Sequence, residues 1–129
     1  CSRYDSPLRN DARRFEYATP NTGGIHAFEA ALALVRAVGI DVIAPYVREL
    51  ARTLAAGLAD RGYRVASPTA DAERSGIVAF TRDGLDQAAV ERRLLERGVV
   101  VARRCGYVRA ACHLYNDRSD VDRLLDALP

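Results

Sequence analysis

The chain has no lysine; all nineteen of its basic residues are arginine. That absence excludes any reaction that needs a side-chain amine. A Schiff base to a carbonyl cofactor or substrate has no residue here on which to form. Arginine in place of every lysine, beside much alanine and valine, reads as the result of GC-rich coding and not as a phosphate-binding signal. A strong charge of one sign is also lacking. Acidic residues number 17, the formal net charge is only +2, and the basic residues are scattered. Nucleic acid and anionic membrane surfaces are therefore not expected as partners. No run approaches the ~20 apolar residues of a membrane-spanning helix, and no basic segment leads into an apolar one at the start. A cytoplasmic protein is the expectation. Cysteine is scarce: Cys1, Cys105 and Cys112 are odd in number and match no CxxC spacing, so neither a disulfide framework nor a zinc ribbon is indicated. The first residue is Cys1 and not methionine, which suggests that the natural start lies upstream.

The 129 residues, 49% of them apolar, suffice for one folded domain with a real core. Residues 1–17 hold charges, Pro7 and few apolar positions, and read as an irregular segment. From a cap at Asn21 or Thr22, the spacing of Phe28, Leu32, Val35 and Val38 predicts a helix that ends at Gly39. A second helix is predicted from near Asp41 to Gly62, with Pro45 in its first turns and Ile43, Val47, Leu50, Leu54 and Leu58 on one face. Tyr63 to Ala66 and Gly76 to Thr81 read as strands, and Asp86 to Arg97 as a helix. Val99-Val100-Val101 and Tyr107 to Ala111 read as a hairpin joined across Gly106. Asn116 or Ser119 should cap a last helix carrying Val121, Leu124, Leu125 and Leu128. The order αββαββα predicts an α+β two-layer sandwich with helices on one face of a small sheet, preceded by one further helix.

Arg109 is the first candidate for chemistry. It falls in a strand expected to be half-buried, and a guanidinium there seeks a carboxylate, either a structural partner or a bound one held by two parallel charge-assisted bonds. Ala18-Thr19-Pro20-Asn21-Thr22-Gly23-Gly24 places hydroxyls and small residues ahead of a helix, where free amides could meet a phosphate, although capping is the ordinary role of such residues. Cys112 and His113, with Cys105 nearby, match no zinc motif. On a strand the first two would point to opposite faces, so no metal site is expected. His26 carries no assignment.

Arg14-Phe15-Glu16-Tyr17-Ala18-Thr19-Pro20-Asn21 and Val108-Arg109-Ala110-Ala111-Cys112-His113-Leu114-Tyr115-Asn116, with Gly98 to Val101 and the Arg104-Cys105-Gly106 turn before the latter, resemble the C-terminal part of class V aminotransferases. These are fold type I pyridoxal phosphate enzymes, a group that includes cysteine desulfurases, selenocysteine lyases and isopenicillin epimerase-like proteins. The resemblance runs from about Arg13 to Leu128. It implies that residues 1–39 are the tail of the large cofactor domain with a linking helix, and 40–129 the small C-terminal α/β domain. It implies further that Arg109 takes the substrate α-carboxylate and that Arg104 assists, with Arg103 an equal candidate. Thr19 and the backbone at Ala18 would touch the phosphate of a neighbouring subunit's cofactor in a homodimer. The lysine would lie in a large domain upstream, so this chain alone would neither bind pyridoxal phosphate firmly nor catalyse. Ala18 departs from the family's glycine and Ala111 from its frequent serine. Desulfurases carry a nucleophilic cysteine in a longer loop between the Arg-x-Gly turn and the carboxylate arginine; here that loop is missing, which tilts the likeness toward the C–S lyase and epimerase-like branch. A lyase, aminotransferase or epimerase acting on an amino acid is the expected whole. The alternative is a free-standing domain that binds a carboxylate or a protein without catalysis.

Overall fold

The computed structural model describes residues 7–16 and 19–129, which fall into two compact units divided between Val38 and Gly39. Among the described residues, the first unit contains a 3₁₀ turn, Ala12–Phe15, and helix α1, Thr22–Val38. The turn is a departure from the irregular segment expected there. Asp11 explains it: its carboxylate accepts from the Arg13 amide at 2.9 Å and also pairs with the Arg13 guanidinium, closing the turn locally. Helix α1 starts where the sequence indicated. Asn21 Oδ1 accepts from the Gly24 amide at 2.9 Å, a side-chain cap for a donor that the helix leaves free.

The second unit runs α2 (Ile40–Asp60), β1 (Arg64–Val65), β2 (Ile77–Thr81), α3 (Gln87–Glu96), β3 (Ala102–Arg104), β4 (Tyr107–Ala111) and α4 (Arg118–Ala127). Its four strands form one antiparallel sheet in the order β1-β2-β4-β3. All three helices lie on one side of it. Ile43, Leu50, Leu54 and Leu58 of α2 are buried, as their spacing predicted, and Leu50, Leu54 and Leu58 join one core with Val78 and Phe80 of β2, Val108 and Ala110 of β4, Val90 and Leu94 of α3, and Val121, Leu124 and Leu125 of α4. Each such large side chain contributes roughly 1.5–3 kcal/mol when fully removed from water. Tyr63 closes one end: its ring stands edge-on to Phe80 at 5.6 Å and its hydroxyl donates to the Pro129 carbonyl at 3.2 Å.

Two glycines permit close approaches. At Gly57 of α2 a Cβ would lie 2.4 Å from Leu125 Cδ1, so α2 and α4 pack closely there. At Gly76 it would lie 2.6 Å from the Cys112 carbonyl oxygen, and the Cys112 amide donates to the Gly76 carbonyl at 2.8 Å.

The αββαββα order is as predicted, with two local corrections. Val99-Val100-Val101 lies outside the sheet, and pairing begins only at Ala102. The hairpin turn fixes the register. Arg104 pairs with Tyr107, leaving Cys105 and Gly106 as a two-residue loop, both at positive φ (49° and 81°), as a tight primed turn requires. Five-residue β4 is met by only three residues on β3, and residues 99–101 lead in from α3 without joining the sheet. The cap of α4 is Asp117, not Asn116 or Ser119; its carboxylate accepts from the Ser119 and Asp120 amides, and Asp120 returns a bond to the Asp117 amide.

Candidate functional site

Strand alternation and register build the site. On β4, Val108 and Ala110 face the helices and are buried, which turns Tyr107, Arg109 and Ala111 to the other face of the sheet. Residues directly opposite one another across an antiparallel pair share a face. Arg109 lies between Ala79 of β2 and Ala102 of β3, so its half-buried guanidinium stem rises between two methyl side chains that leave it room. Arg104, opposite Tyr107, is on this same face. Arg103, opposite the buried Val108, is on the helix side, where its Nε donates to Glu91 of α3 at 3.4 Å. The register therefore separates the two arginines that sequence alone left equal.

The same face carries two residues that the sequence reading passed over. Tyr107 is one pleat repeat from Arg109, and Arg64 of β1, opposite Thr81, extends so that its guanidinium carbon lies 5.6 Å from the centre of the Tyr107 ring. Tyr107 was available from period-two counting outward from Arg109. Arg64 was not, because its distance from Tyr107 depends on the strand order. Among the described residues none of Arg64, Arg104 and Arg109 forms an ion pair, whereas Arg13, Arg52, Arg61, Arg74, Arg103 and Arg118 all do.

Of the phosphate candidates, Ala18 lies outside the described residues. Thr19 is exposed, in the first unit. The Thr22 amide donates to the Pro20 carbonyl, the Gly24 amide to Asn21 Oδ1 and the Ile25 amide to the Asn21 carbonyl, so this segment is first of all a capped helix start. Cys105 sits at the exposed tip of the β3–β4 turn and Cys112 just beyond the far end of β4, roughly 20 Å apart at strand rise. That distance prevents a joint metal site. Burial pushes the Cys112 thiol pKa up, away from the nucleophilic thiolate. His113 stacks on Tyr115 with ring centres 4.5 Å apart, and Asn116 locks the loop by accepting from the His113 amide and donating to Asp120. A concavity of about 430 Å³ opens beside this loop, lined by Val99, Ala110, Cys112, Asn116, Asp120 and Arg123 among others, but neither Arg104 nor Arg109 lines it.

One face of the sheet thus carries the half-buried Arg109, without an ion pair among the described residues, and the other is covered by three helices. The aminotransferase class-V family model matches residues 2–124, and the chain belongs to that family. It is 34% identical over 131 residues to the cysteine desulfurase of an Enterobacter species, covering 89% of this chain and 31% of that protein. It is 30% identical over 128 residues to a probable cysteine desulfurase of Pseudomonas putida, covering 88% and 31%. Among solved structures, the apo cysteine desulfurase of Thermococcus onnurineus superposes with a TM-score of 0.82 at 25% identity over 93% of this chain and 33% of that one. The cystine C–S lyase C-DES, in complex with its product cysteine persulfide, superposes with a TM-score of 0.77 at 26% identity over 88% and 31%. The fold is accordingly the small α+β domain of fold type I pyridoxal phosphate enzymes, as expected. The chain spans about a third of the length of the relatives it matches.

Proposed function

We propose that this chain is the C-terminal part of a pyridoxal phosphate enzyme that acts on an amino acid, with Arg109 holding the substrate α-carboxylate. The observation that carries this reading is Arg109 itself: half-buried on β4, flanked by Ala79 and Ala102, and without an ion pair among the described residues. A guanidinium so placed has lost part of its hydration and offers a planar fork of donors to a carboxylate. Arg104, on the same face, assists, while Arg103 is committed to Glu91.

The chain's residues fit one part of the cofactor's needs and not another. The exposed Thr19 hydroxyl, with the backbone at Ala18, supplies a contact for the phosphate of a neighbouring subunit's cofactor in a homodimer. With no lysine, the covalent attachment comes from a large domain, of which residues 1–39 are the tail. When bound, pyridoxal phosphate supplies an electron sink at the α-carbon; this chain's contribution is to orient the substrate toward it. The short Cys105-Gly106 turn, with no longer loop carrying a thiol toward the substrate, favours lyase, aminotransferase or epimerase chemistry over persulfide transfer on this chain.

Titration of the chain with propionate, followed on the arginine Nε–H resonances by NMR, tests the carboxylate clamp. Saturable shifts of Arg109 in the millimolar range, lost in Arg109→Gln, are the expected result. A propionate response that is indifferent to Arg109→Gln would remove the clamp and leave a binding domain of another kind.

A further inference from the structure

β4 is longer than the strand that covers its outer edge. Cys112, the residue after β4, donates its amide to the Gly76 carbonyl at 2.8 Å, so the main-chain groups of even-numbered residues along β4 point to β2. Those of Ala111 therefore point to the other side, one step past the Ala102–Arg109 pair at which β3 stops. Neither the amide nor the carbonyl of Ala111 has a main-chain partner there among the described residues. Were the ladder to run on in the register that the hairpin sets, Val101 would stand opposite Ala110 and Val100 opposite Ala111. The valines already have the parity for this. Val99 and Val101 are half-buried against the core, and Val100 between them is 83% exposed. The run nonetheless stands off from β4, and the concavity of about 430 Å³ lies between it and Ala110, Ala111 and Cys112. Closing that gap requires no side chain to change face. The Val99 amide, bonded to the Leu94 carbonyl at 2.9 Å, anchors the far end of the run.

We infer that residues 99–101 are a strap that zips onto β4, Val100 exchanging two main-chain hydrogen bonds with Ala111, when a carboxylate occupies Arg109. The inference rests on the reading of Arg109 as the carboxylate clamp. The coupling follows from the face that each residue takes. Ala111 shares the open face with Arg109, and Ile77, 42% exposed, lies opposite Ala111 on β2. Once zipped, Val100 joins them on that face. A row of three apolar side chains, Val100, Ala111 and Ile77, then runs beside the row Ala102, Arg109 and Ala79. Val100 becomes the diagonal neighbour of Arg109, within reach of its stem. Water is thereby removed from one flank of the guanidinium, and a charge-assisted bond to a carboxylate is stronger in the drier setting. A bound carboxylate thus gains more from the zipped state than from the open one, which is the condition for shifting the equilibrium between them. Val100 is a positioning residue, since it acts through Arg109.

The test is amide exchange followed by NMR on the chain, in sodium propionate and in sodium chloride at the same concentration and pH. In chloride the Val100 and Ala111 amides should exchange freely. Propionate should slow both about tenfold, the mark of a strap closed about nine-tenths of the time, while the Ala110 amide, which faces β2, stays protected in both salts. Val100→Pro, which has no amide to donate, should remain folded by its melting curve and show no slowing at Ala111. It should bind propionate about three- to tenfold more weakly, the scale of a lost hydrogen bond. Val100→Ile keeps both the amide and the branched apolar side chain, and should behave as the parent chain does. Propionate shifts that depend on Arg109, with exchange at Val100 and Ala111 unchanged, would overturn the strap and leave the clamp standing. Equal protection of the two amides in both salts would mean a ladder zipped throughout, and would overturn the strap as well. A propionate response indifferent to Arg109→Gln would remove the clamp and, with it, the coupling proposed for the strap.

Discussion

The two faces of the sheet are made from the same strands and do opposite things. On one, Val78, Phe80, Val108 and Ala110 are closed off by three helices, and Arg103 at its edge is paired with Glu91. On the other, Arg64, Arg104, Tyr107 and Arg109 meet no helix of their own unit. On the proposed reading of Arg109, a strand divides its labour at alternate residues: stability is placed on one parity and carboxylate binding on the other, so that either can change with little effect on its neighbour. Phe80 and Arg109, on adjacent strands, are the sharpest pair. Phe80→Ala removes a fully buried ring that also stands edge-on to Tyr63, and should cost about 3–5 kcal/mol in a urea titration, enough to unfold much of the population. Arg109→Gln should shift stability by less than about 0.5 kcal/mol while abolishing propionate binding. Comparable stability losses from the two would break the division.

A second pair of substitutions sharpens the comparison at the margins of the core side. Gly76→Ala directs a methyl group at the Cys112 carbonyl, a backbone atom of a residue whose amide is already bonded to the Gly76 carbonyl, and at the β-branched Val47 of α2, so neither neighbour can swing away cheaply. A loss of about 1–3 kcal/mol is expected, of the size seen when a packed site is overfilled. Gly57→Ala meets only the end of the Leu125 side chain, which can change rotamer, and should cost less despite the shorter contact of 2.4 Å. The reverse order in thermal melts would mean that the α2–α4 crossing is stiffer than the β2–β4 end of the sheet.

How much of this was legible beforehand follows the same division. The core face was read well because burial leaves a periodic mark: Ile43, Val47, Leu50, Leu54 and Leu58 every three or four residues, and Val121, Leu124, Leu125 and Leu128 at i, i+3, i+4 and i+7. The recognition face leaves a weaker mark. The half-buried strand position of Arg109 was legible from its apolar neighbours, but telling which face Arg103 and Arg104 occupy needed the register, which the two-residue Cys105-Gly106 turn fixes and which composition does not state. Arg64 was invisible because β1 and β4 are separated in the chain by β2, α3 and β3. The run Val99-Val100-Val101 was misplaced for the opposite reason. Its β-propensity is high, but Val99 and Val101 pack against the core ahead of the strand and only Ala102 to Arg104 pair.

The smallest effect expected lies away from both faces, at the start of α4, and it carries a pH signature. Asp117 accepts hydrogen bonds from the Ser119 hydroxyl at 2.7 Å and from the Asp120 and Ser119 amides, and these bonds to its charged form hold its pKa below the usual carboxylate value. A pKa depressed by folding means that the folded state binds this proton less readily than the unfolded chain does. The stabilisation is therefore present above the unfolded value, near pH 4, and is lost as pH falls through the folded value. Asp117→Asn, which keeps a capping oxygen but removes the charge, should lower the melting temperature slightly at pH 7, and the gap from the parent chain should close as the pH is brought below about 4. Because α4 supplies Val121, Leu124 and Leu125 to the helix-covered side alone, the same substitution should leave propionate binding at Arg109 intact at pH 7. Weakened binding there would show that the two faces are coupled through β4, and the division of labour between them would have to be given up.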